Sequence, residues 1–282
     1  MKISDAWFTF EEVAKNLAMA FPPIRSWRVR RHRTSSLPNL EQLDRYAFGL
    51  PDLVLKHTGS VRGKDVLEIG PGDHLATGLT FLALGAKSYT ALDRFPGPYS
   101  DRNARGWYQM VRDNFPKHFQ LSWNGINPDN FPDAYDSVGV LPLSIENLGE
   151  CRTFDIVCSF AVGEHVLSVP AFATANQRLL RSGGRAVHYL DFGGHMWERD
   201  IKDPLMFERI PRWLWSAMGS NRGYPNRVPF EPYMAFLRGA GLDVDIVSTK
   251  PFLHSPKIQE AIVVLSTQSA AAARAATAHS GD

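Results

Sequence analysis

Residues 66–73 read VLEIGPGD, a run of apolar side chains that passes into two glycines on either side of a proline. Short apolar runs bounded by glycine are typical of buried β-strands. Beyond the turn, a helix is predicted over residues 74–85. Gly70 and Gly72 allow the backbone to turn sharply and leave it open to a ligand. The stretch therefore predicts a strand, turn and helix with a binding loop at the carboxyl end of the strand.

The loop differs from the fingerprint of dinucleotide-binding proteins. That fingerprint carries a third glycine three residues after the second, and this chain has Leu75 at that position. Glu68, just before the turn, places a carboxylate where it would repel a pyrophosphate and attract a cationic group. A nicotinamide-dependent oxidoreductase is therefore disfavoured.

A second predicted strand, residues 88–93, ends in Asp93. In a strand–helix–strand unit, an acid about 20 residues beyond the glycines lies at the tip of the neighbouring strand. There it can accept hydrogen bonds from both hydroxyls of a ribose. The order of these features predicts a nucleoside-binding unit.

Further segments extend the pattern. Residues 158–166 read CSFAVGEHV and residues 180–185 read LRSGGR. Together with Glu68-x-Gly-x-Gly and Asp93, they resemble the class I S-adenosylmethionine-dependent methyltransferases over residues 64–192 and 231–265. The resemblance implies an α/β fold with a doubly wound, mainly parallel, seven-stranded Rossmann-like sheet, helices on both faces and an antiparallel final strand pair. The predicted strands are residues 66–69, 88–93, 137–141, 154–160, 185–191, 242–247 and 258–265.

The resemblance also implies the cofactor, S-adenosyl-L-methionine (SAM). In this superfamily the methionine part lies on the glycine turn, the adenine lies beside residues that follow strand three, and the sulfonium faces the end of strand four. Carried over by position, the cofactor-binding residues are Glu68, Gly70, Pro71, Gly72, Asp93, Ser144, Ile145, Phe160 and Ala161.

Four residues on the acceptor side are candidates for catalysis: Glu164, His165, Asp191 and His195. His165 can act as a general base, because a hydroxyl attacks a methyl sulfonium readily only when its proton is removed. Alternatively, His165 caps the helix after strand four. Asp191 and His195 can orient an acceptor, or complete a metal site with Glu164 and His165. Similar methyltransferases that bind a divalent cation have a glutamate at the position of Ala161, so the case for a metal is weakened.

Residues 95–134 and 192–230 are longer than plain strand connections and are rich in aromatic residues and arginine. Long connections in a compact domain are usually functional or disordered, and the aromatic content favours function. Both insertions are expected to form a lid over the acceptor. Tyr224, Asn226 and Arg227 are predicted to bind substrate, since a guanidinium matches carboxylate or phosphate. The alternative for Arg227 is a salt bridge to a helix.

The composition predicts a globular cytoplasmic protein. The chain has 282 residues, 44% hydrophobic content, a net charge of +2 and two cysteines, so neither a disulfide framework nor nucleic-acid binding is expected. Residues 1–60 are predicted to form a helical lead-in, 61–268 the methyltransferase domain, and 269–282 a mobile tail. The arginine-rich segment Arg25–Arg33 can form a solvated face, or contact an anionic membrane, phosphate groups or RNA.

The leading hypothesis is a SAM-dependent methyltransferase that methylates a hydroxyl of a sugar, a glycan or another small polar acceptor. The alternatives are an N-methyltransferase of a small molecule or peptide, an enzyme similar to RNA 2′-O-methyltransferases, and an inactive SAM-binding regulatory subunit.

Overall fold

The computed structural model describes residues 3–30, 38–149, 152–193, 207, 210–221, 223, 225–252 and 255–267. Seven strands form one sheet in the order β3-β2-β1-β4-β5-β7-β6. Strands β1 to β5 run parallel where they pair, and β7 runs antiparallel to both β5 and β6. The predicted fold class is therefore confirmed. The strands are β1 Asp65–Ile69, β2 Ser88–Leu92, β3 Val138–Leu141, β4 Phe154–Phe160, β5 Leu180–Asp191, β6 Leu242–Phe252 and β7 Ser255–Thr267.

Eight α-helices connect and cover these strands within the described residues. They are α1 Ile3–Met19, α2 Pro22–Arg30, α3 Gly49–Thr58, α4 Ala76–Ala83, α5 Arg102–Phe119, α6 Val169–Leu179, α7 Arg212–Gly219 and α8 Phe230–Gly239. Short 3₁₀ turns occupy Leu40–Gln42, Pro128–Asn130, Ile145–Asn147 and Gly163–His165, and a π-helical turn occupies Asp44–Phe48. Pro22 begins α2, because proline fits the first position of a helix. No described helix is long and apolar enough to cross a membrane.

The sheet is covered on both faces, as a parallel sheet of this kind requires. All residues of β1 and β2 are buried. Side chains alternate along β1, so Val66 packs into a core with α3, α4 and α5, whereas Leu67 packs into a second core with α6 and α8. This arrangement leaves the carboxyl ends of the strands for ligands.

Residues 95–134 contribute to the core, so the prediction that they form a lid is wrong. Asp101 caps α5 by accepting a hydrogen bond from the Ala104 N–H at 2.9 Å. The aromatic side chains of Trp107, Tyr108 and Phe115 are fully buried against the sheet. Because they fall on one face of a helix, they serve as the crossover layer between β2 and β3.

Strand β5 begins at Leu180, five residues before the predicted start at residue 185. Its pairing with β4 is irregular between Phe154 and Ile156. In this region Arg181 forms ion pairs of 2.7 Å with both Asp65 and Asp155. One side chain therefore connects the starts of β1, β4 and β5.

The N-terminal helix packs against the segment that follows β5. Asn16, buried on α1, donates hydrogen bonds to the Ala217 carbonyl at 2.9 Å and the Ser220 hydroxyl at 3.1 Å. Its side-chain oxygen accepts a hydrogen bond of 2.8 Å from the Asn221 N–H. Helices α1 and α7 therefore pack together as one layer. The predicted tail 269–282 lies outside the described residues.

Candidate functional site

The glycine turn after β1 has the open geometry that the sequence predicts. Gly70 and Gly72 have φ angles of +69° and +78°, which only glycine adopts easily. A Cβ atom at Gly70 would lie 2.6 Å from a methyl group of Val162, whereas a Cβ atom at Gly72 would meet no atom within 4 Å. Gly70 is therefore required for packing, and Gly72 faces open space in the cleft.

Asp93 lies directly beside this turn. One of its carboxylate oxygens accepts a hydrogen bond from the Gly72 N–H at 3.3 Å, and the other accepts one from the Phe95 N–H at 2.7 Å. Burial raises the pKa of the Asp93 carboxyl group, and the two backbone donors oppose that rise. The acid at the tip of β2 is thus fixed against the glycine turn.

A cleft of about 1150 Å³ opens over the carboxyl ends of β1, β2 and β4; we call it the cofactor cleft. It brings together most of the predicted cofactor residues with His165. The predicted residues in its lining are Gly70, Gly72, Asp93, Ser144, Ile145, Ala161 and His165.

A second cleft of about 830 Å³ shares Gly70, Gly72 and Ala161 with the cofactor cleft; we call it the N-terminal lobe. It contains the other predicted cofactor residues, Glu68, Pro71 and Phe160. The lobe also contains polar residues that the sequence did not indicate, because the fold brings them from the lead-in and from the start of α4. These are Arg45, Tyr46, Asp73, His74 and Thr77.

Glu68 lies below the glycine turn, and its carboxylate accepts a hydrogen bond from the Tyr89 hydroxyl. Burial raises the pKa of Glu68 to about 7, with the hydrogen bond from Tyr89 acting in the opposite direction. A cation in the lobe would favour the ionised form.

An aromatic wall supports the same lobe. His74 stacks on Trp107 with ring centroids 4.6 Å apart, and burial lowers the pKa of His74 to about 4. Tyr46 contacts the edge of Trp107, and the Arg45 guanidinium lies 5.6 Å from the centre of the Tyr46 ring. His74 is therefore neutral at physiological pH, and Arg45 supplies the positive charge of this lobe.

The tip of β4 holds an unusual backbone conformation. Ala161 has a φ angle of +54°, in the left-handed region, and its N–H donates to the Tyr189 carbonyl at 2.9 Å. A residue other than glycine in this conformation costs about 1–3 kcal/mol and often marks a functional site. Phe160 stacks on Tyr189 with centroids 4.4 Å apart. The strand tip is thus held rigidly between the two clefts.

The predicted catalytic residues do not form one cluster. His165 lines the cofactor cleft, whereas Glu164 and Asp191 line a separate small cavity with Asn226 and Arg227. Glu164 and His165 therefore do not share a cavity, and the role of Glu164 and Asp191 beside the acceptor stays a prediction. The reason is local, since Glu164 and His165 belong to a 3₁₀ turn in which successive side chains point about 120° apart.

Asn226 binds the protein itself. Its side-chain amide donates to the carbonyls of Gly163 at 3.1 Å and Val166 at 3.3 Å, and its N–H donates to the Glu164 carbonyl at 2.6 Å. The side-chain oxygen accepts a hydrogen bond from the Val228 N–H at 3.0 Å. Asn226 therefore positions the loop that carries His165.

Arg227 packs against α7. Its guanidinium donates to the Ile210 carbonyl at 2.7 Å and lies 5.3 Å from the centre of the Trp215 ring. These two contacts hold the Arg227 side chain against the segment 210–215. Two other predicted site residues, His195 and Tyr224, lie outside the described residues.

His188 belongs to the core. Its ring nitrogens bond with the Ser159 hydroxyl at 2.7 Å and the Asn176 side-chain oxygen at 2.9 Å. Burial lowers the pKa of His188 to about 3. Among the described residues, no group of three or more histidine, cysteine or acidic side chains could hold a metal ion.

The ring of Phe95 joins the lead-in to the cofactor cleft. The guanidiniums of Arg25 and Arg94 lie 5.2 Å and 4.9 Å from its centre. Arg94 also donates to the Ser220 carbonyl at 3.4 Å. Arg25, the first arginine of the predicted basic patch, therefore packs inward; the side chains of residues 28–33 lie outside the described ones.

No protein-family model and no curated protein matches the chain. A 1,6-didemethyltoxoflavin-N1-methyltransferase from Burkholderia thailandensis, with bound 1,6-didemethyltoxoflavin and S-adenosylhomocysteine, is 15% identical. It aligns over 92% of this chain and 90% of its own, with a TM-score of 0.50.

Two further solved structures are similar over most of their length. YcgJ from Bacillus subtilis is 11% identical over 77% of this chain and 98% of its own, with a TM-score of 0.46. An S-adenosylmethionine-dependent methyltransferase from Mesorhizobium loti is 14% identical over 73% and 92%, with a TM-score of 0.43. At 15% identity, the likeness to the Burkholderia thailandensis structure shows a shared fold. The chain has the Rossmann-like fold found in class I methyltransferases.

Proposed function

We propose that the protein is a SAM-dependent methyltransferase. The observation that carries this proposal is the pair of joined clefts at the glycine turn, one containing Asp93 and the other containing Glu68 and Arg45. A cofactor with a nucleoside at one end and an amino acid at the other matches both. Asp93 would accept hydrogen bonds from the ribose, Arg45 would bind the carboxylate of the methionine part, and Glu68 would face its cationic groups.

For the acceptor, we propose a hydroxyl group. In this reaction an oxygen lone pair attacks the methyl carbon of SAM, and the bonding electrons of the carbon–sulfur bond pass to sulfur. The products are a methyl ether and S-adenosylhomocysteine, and the hydroxyl proton must go to a base. His165 is the described residue in the cofactor cleft that suits this role, since an imidazole can accept the proton as the bond forms.

N-methylation is the second candidate function. The Burkholderia thailandensis enzyme with the same fold is named an N1-methyltransferase. A neutral amine needs no strong base, so the two functions differ in their dependence on His165. If hydroxyls are the acceptors, His165→Ala should lower turnover by about 10²–10⁴ with unchanged SAM affinity. Retention of more than a tenth of wild-type turnover would favour the amine.

The primary test is cofactor binding by Gly72→Val, measured by calorimetric titration with SAM and S-adenosylhomocysteine. Gly125→Val is a matched control, because Gly125 also has a positive φ angle, +88°, with no atom within 4 Å of its Cβ position. We expect at least a tenfold loss of affinity in Gly72→Val alone. Equal affinities in the two variants, or no binding by the wild type, would overturn the proposed cofactor.

A further inference from the structure

We propose that a third cleft, between α7 and residues 225–227, binds an anionic group of the acceptor, either a carboxylate or a phosphate. This inference rests on the proposed function, because it names the chemical class of the molecule that receives the methyl group. We call this site the arginine cleft. It is defined by Val166, Leu167, Arg212, Trp215, Ser220 and Arg227.

The arginine cleft adjoins the cofactor cleft. Its volume is about 770 Å³, and Val166 and Leu167 line both clefts. His165 precedes these two residues and lines the cofactor cleft. A small molecule can therefore place one end beside His165 and extend its other end along Val166 and Leu167 into the arginine cleft.

Two arginines line the arginine cleft, and the acids nearest to it, Glu164 and Asp191, line the small cavity on the other side of Arg227. Arg212 and Arg227 both line the cleft, and its described lining contains no aspartate or glutamate. Arg94, from the cofactor cleft, donates to the carbonyl of Ser220 at 3.4 Å and brings a third guanidinium to the boundary. Guanidiniums that line one cleft favour a carboxylate or phosphate, because each can present two N–H donors to two oxygens.

Arg227 is held in position before any ligand arrives. Its guanidinium is fixed by the Ile210 carbonyl and by the face of Trp215. Trp215 is anchored in turn by a hydrogen bond of 2.7 Å from its indole N–H to the Pro225 carbonyl. A guanidinium that is already oriented loses little freedom when it binds an anion.

The backbone at Arg227 supplies an independent observation. Its φ angle is +61°, a backbone conformation that residues other than glycine rarely adopt. The preceding residue, Asn226, holds this strained segment against the loop of His165 through the Gly163 and Val166 carbonyls. Strained backbone that the surrounding structure keeps in place is characteristic of ligand sites. The strain links the position of the guanidinium to that of the proposed base.

The remaining surface indicates the body of the acceptor. Val166, Leu167 and Trp215 present apolar groups between His165 and the guanidiniums. We therefore expect an acceptor with an apolar or aromatic middle, an anionic group at one end and the methyl-accepting atom at the other. A neutral sugar lacks the charge that this cleft is built to bind.

The test uses three probes of similar shape: benzoate, phenyl phosphate and the neutral benzamide. Each is titrated calorimetrically into the full-length protein saturated with S-adenosylhomocysteine, and again without it. We expect at least one anion to bind at least tenfold more tightly than benzamide. Which anion binds better distinguishes a carboxylate from a phosphate acceptor. Equal binding of all three probes would overturn the proposal.

Variants locate the binding. Arg227→Ala and the charge reversal Arg212→Glu should each weaken the preferred anion at least fivefold, whereas Arg112→Ala should not, because Arg112 is an exposed arginine on α5. If Arg227→Ala does not fold, Arg212→Glu still decides the question. Unchanged anion binding in Arg212→Glu would exclude the arginine cleft as the anion-binding site. Anion binding without any binding of S-adenosylhomocysteine would leave this site standing and overturn the proposed function instead.

Discussion

Glu68 carries a carboxyl group that is fully buried below the glycine turn, and its pKa of about 7 exceeds the ordinary value of 4.5. An acid that keeps its proton in the folded state, but loses it in the unfolded state, makes stability fall as pH rises between those two values. Above the folded pKa, this contribution to the free energy of unfolding stays constant.

We expect Glu68→Gln to remove this pH dependence, because glutamine still accepts the hydrogen bond from Tyr89 but has no charge to bury. Between pH 5 and pH 8 the wild type should lose about 2–3 kcal/mol more of its free energy of unfolding than the variant. Urea unfolding at both pH values measures the difference. Glu231→Gln, which changes an exposed residue of α8, should lose as much free energy of unfolding as the wild type. Equal losses in all three proteins would contradict the role given to Glu68.

Ligand binding should also change the protonation of Glu68. The cationic groups of SAM would favour the carboxylate and lower the pKa of Glu68, so binding at pH 6.5 should release a proton. Calorimetry in two buffers with different ionisation enthalpies measures that proton directly. We expect a release of about half a proton or more in the wild type, and a clearly smaller one in Glu68→Gln. Equal proton release by the wild type and by Glu68→Gln would show that the protonation of Glu68 is not coupled to cofactor binding.

At the scale of elements, Arg181 joins the starts of three strands through Asp65 and Asp155. Asp65 is almost fully buried, and its pKa is lowered by a hydrogen bond from Ser88 and then by Arg181. An acid with a lowered pKa stabilises the fold above its unfolded pKa, and that contribution disappears as pH falls through its folded value.

Arg181→Met should therefore destabilise the protein by about 1–3 kcal/mol at neutral pH, a range reduced because the arginine is partly exposed. The acid-induced loss of stability should also be smaller, because without Arg181 the folded pKa of Asp65 moves toward its unfolded value. Thermal unfolding from pH 3 to pH 7 measures both effects. Arg112→Met, which breaks an exposed ion pair with Asp113, should change stability by less than about 0.5 kcal/mol. Equal losses of stability in the two variants would show that Arg181 stabilises the fold no more than an exposed ion pair does.

How far the sequence predicts an element depends on how local its signal is. The glycine turn and Asp93 follow from a few adjacent residues, and the structure places both where the pattern indicates. Helix α5 also has a local signal, since Trp107, Val111 and Phe115 recur at helical spacing. Their aromatic character suggested a binding lid, but burial in the core accounts for it equally well, and composition cannot separate the two.

The polar residues of the N-terminal lobe could not be predicted in the same way. Arg45 and Tyr46 lie far from the glycine turn in sequence, and only the folding of the lead-in over the sheet brings them to Gly72. The separation of Glu164 from His165 depends on the pitch of a single turn. Such contacts are set by tertiary packing rather than by any property of neighbouring residues.

At the scale of the whole molecule, the ring of Phe95 connects three regions. Arg25 from α2 and Arg94 from the loop after β2 both stack on it, and Arg94 also reaches Ser220 after α7. The lead-in, the cofactor cleft and the segment after α7 therefore meet at one side chain. A shift of any of these regions would therefore alter contacts at this ring.

We expect Phe95→Ala to shorten the time for which S-adenosylhomocysteine stays bound, with a dissociation rate at least threefold higher in stopped-flow fluorescence. Phe236→Ala, which removes an exposed ring from α8, is the control. An unchanged dissociation rate in Phe95→Ala would show that the stack does not restrain the ligand.

The position of this stack has a consequence for the order of the catalytic cycle. The contacts at Phe95 would have to open before S-adenosylhomocysteine could leave. The same contacts limit the acceptor site at Ser220. The methylated product should therefore depart first. Steady-state kinetics should then be ordered, with SAM binding before the acceptor. S-adenosylhomocysteine should inhibit competitively against SAM and noncompetitively against the acceptor. In Phe95→Ala this order should relax toward random release.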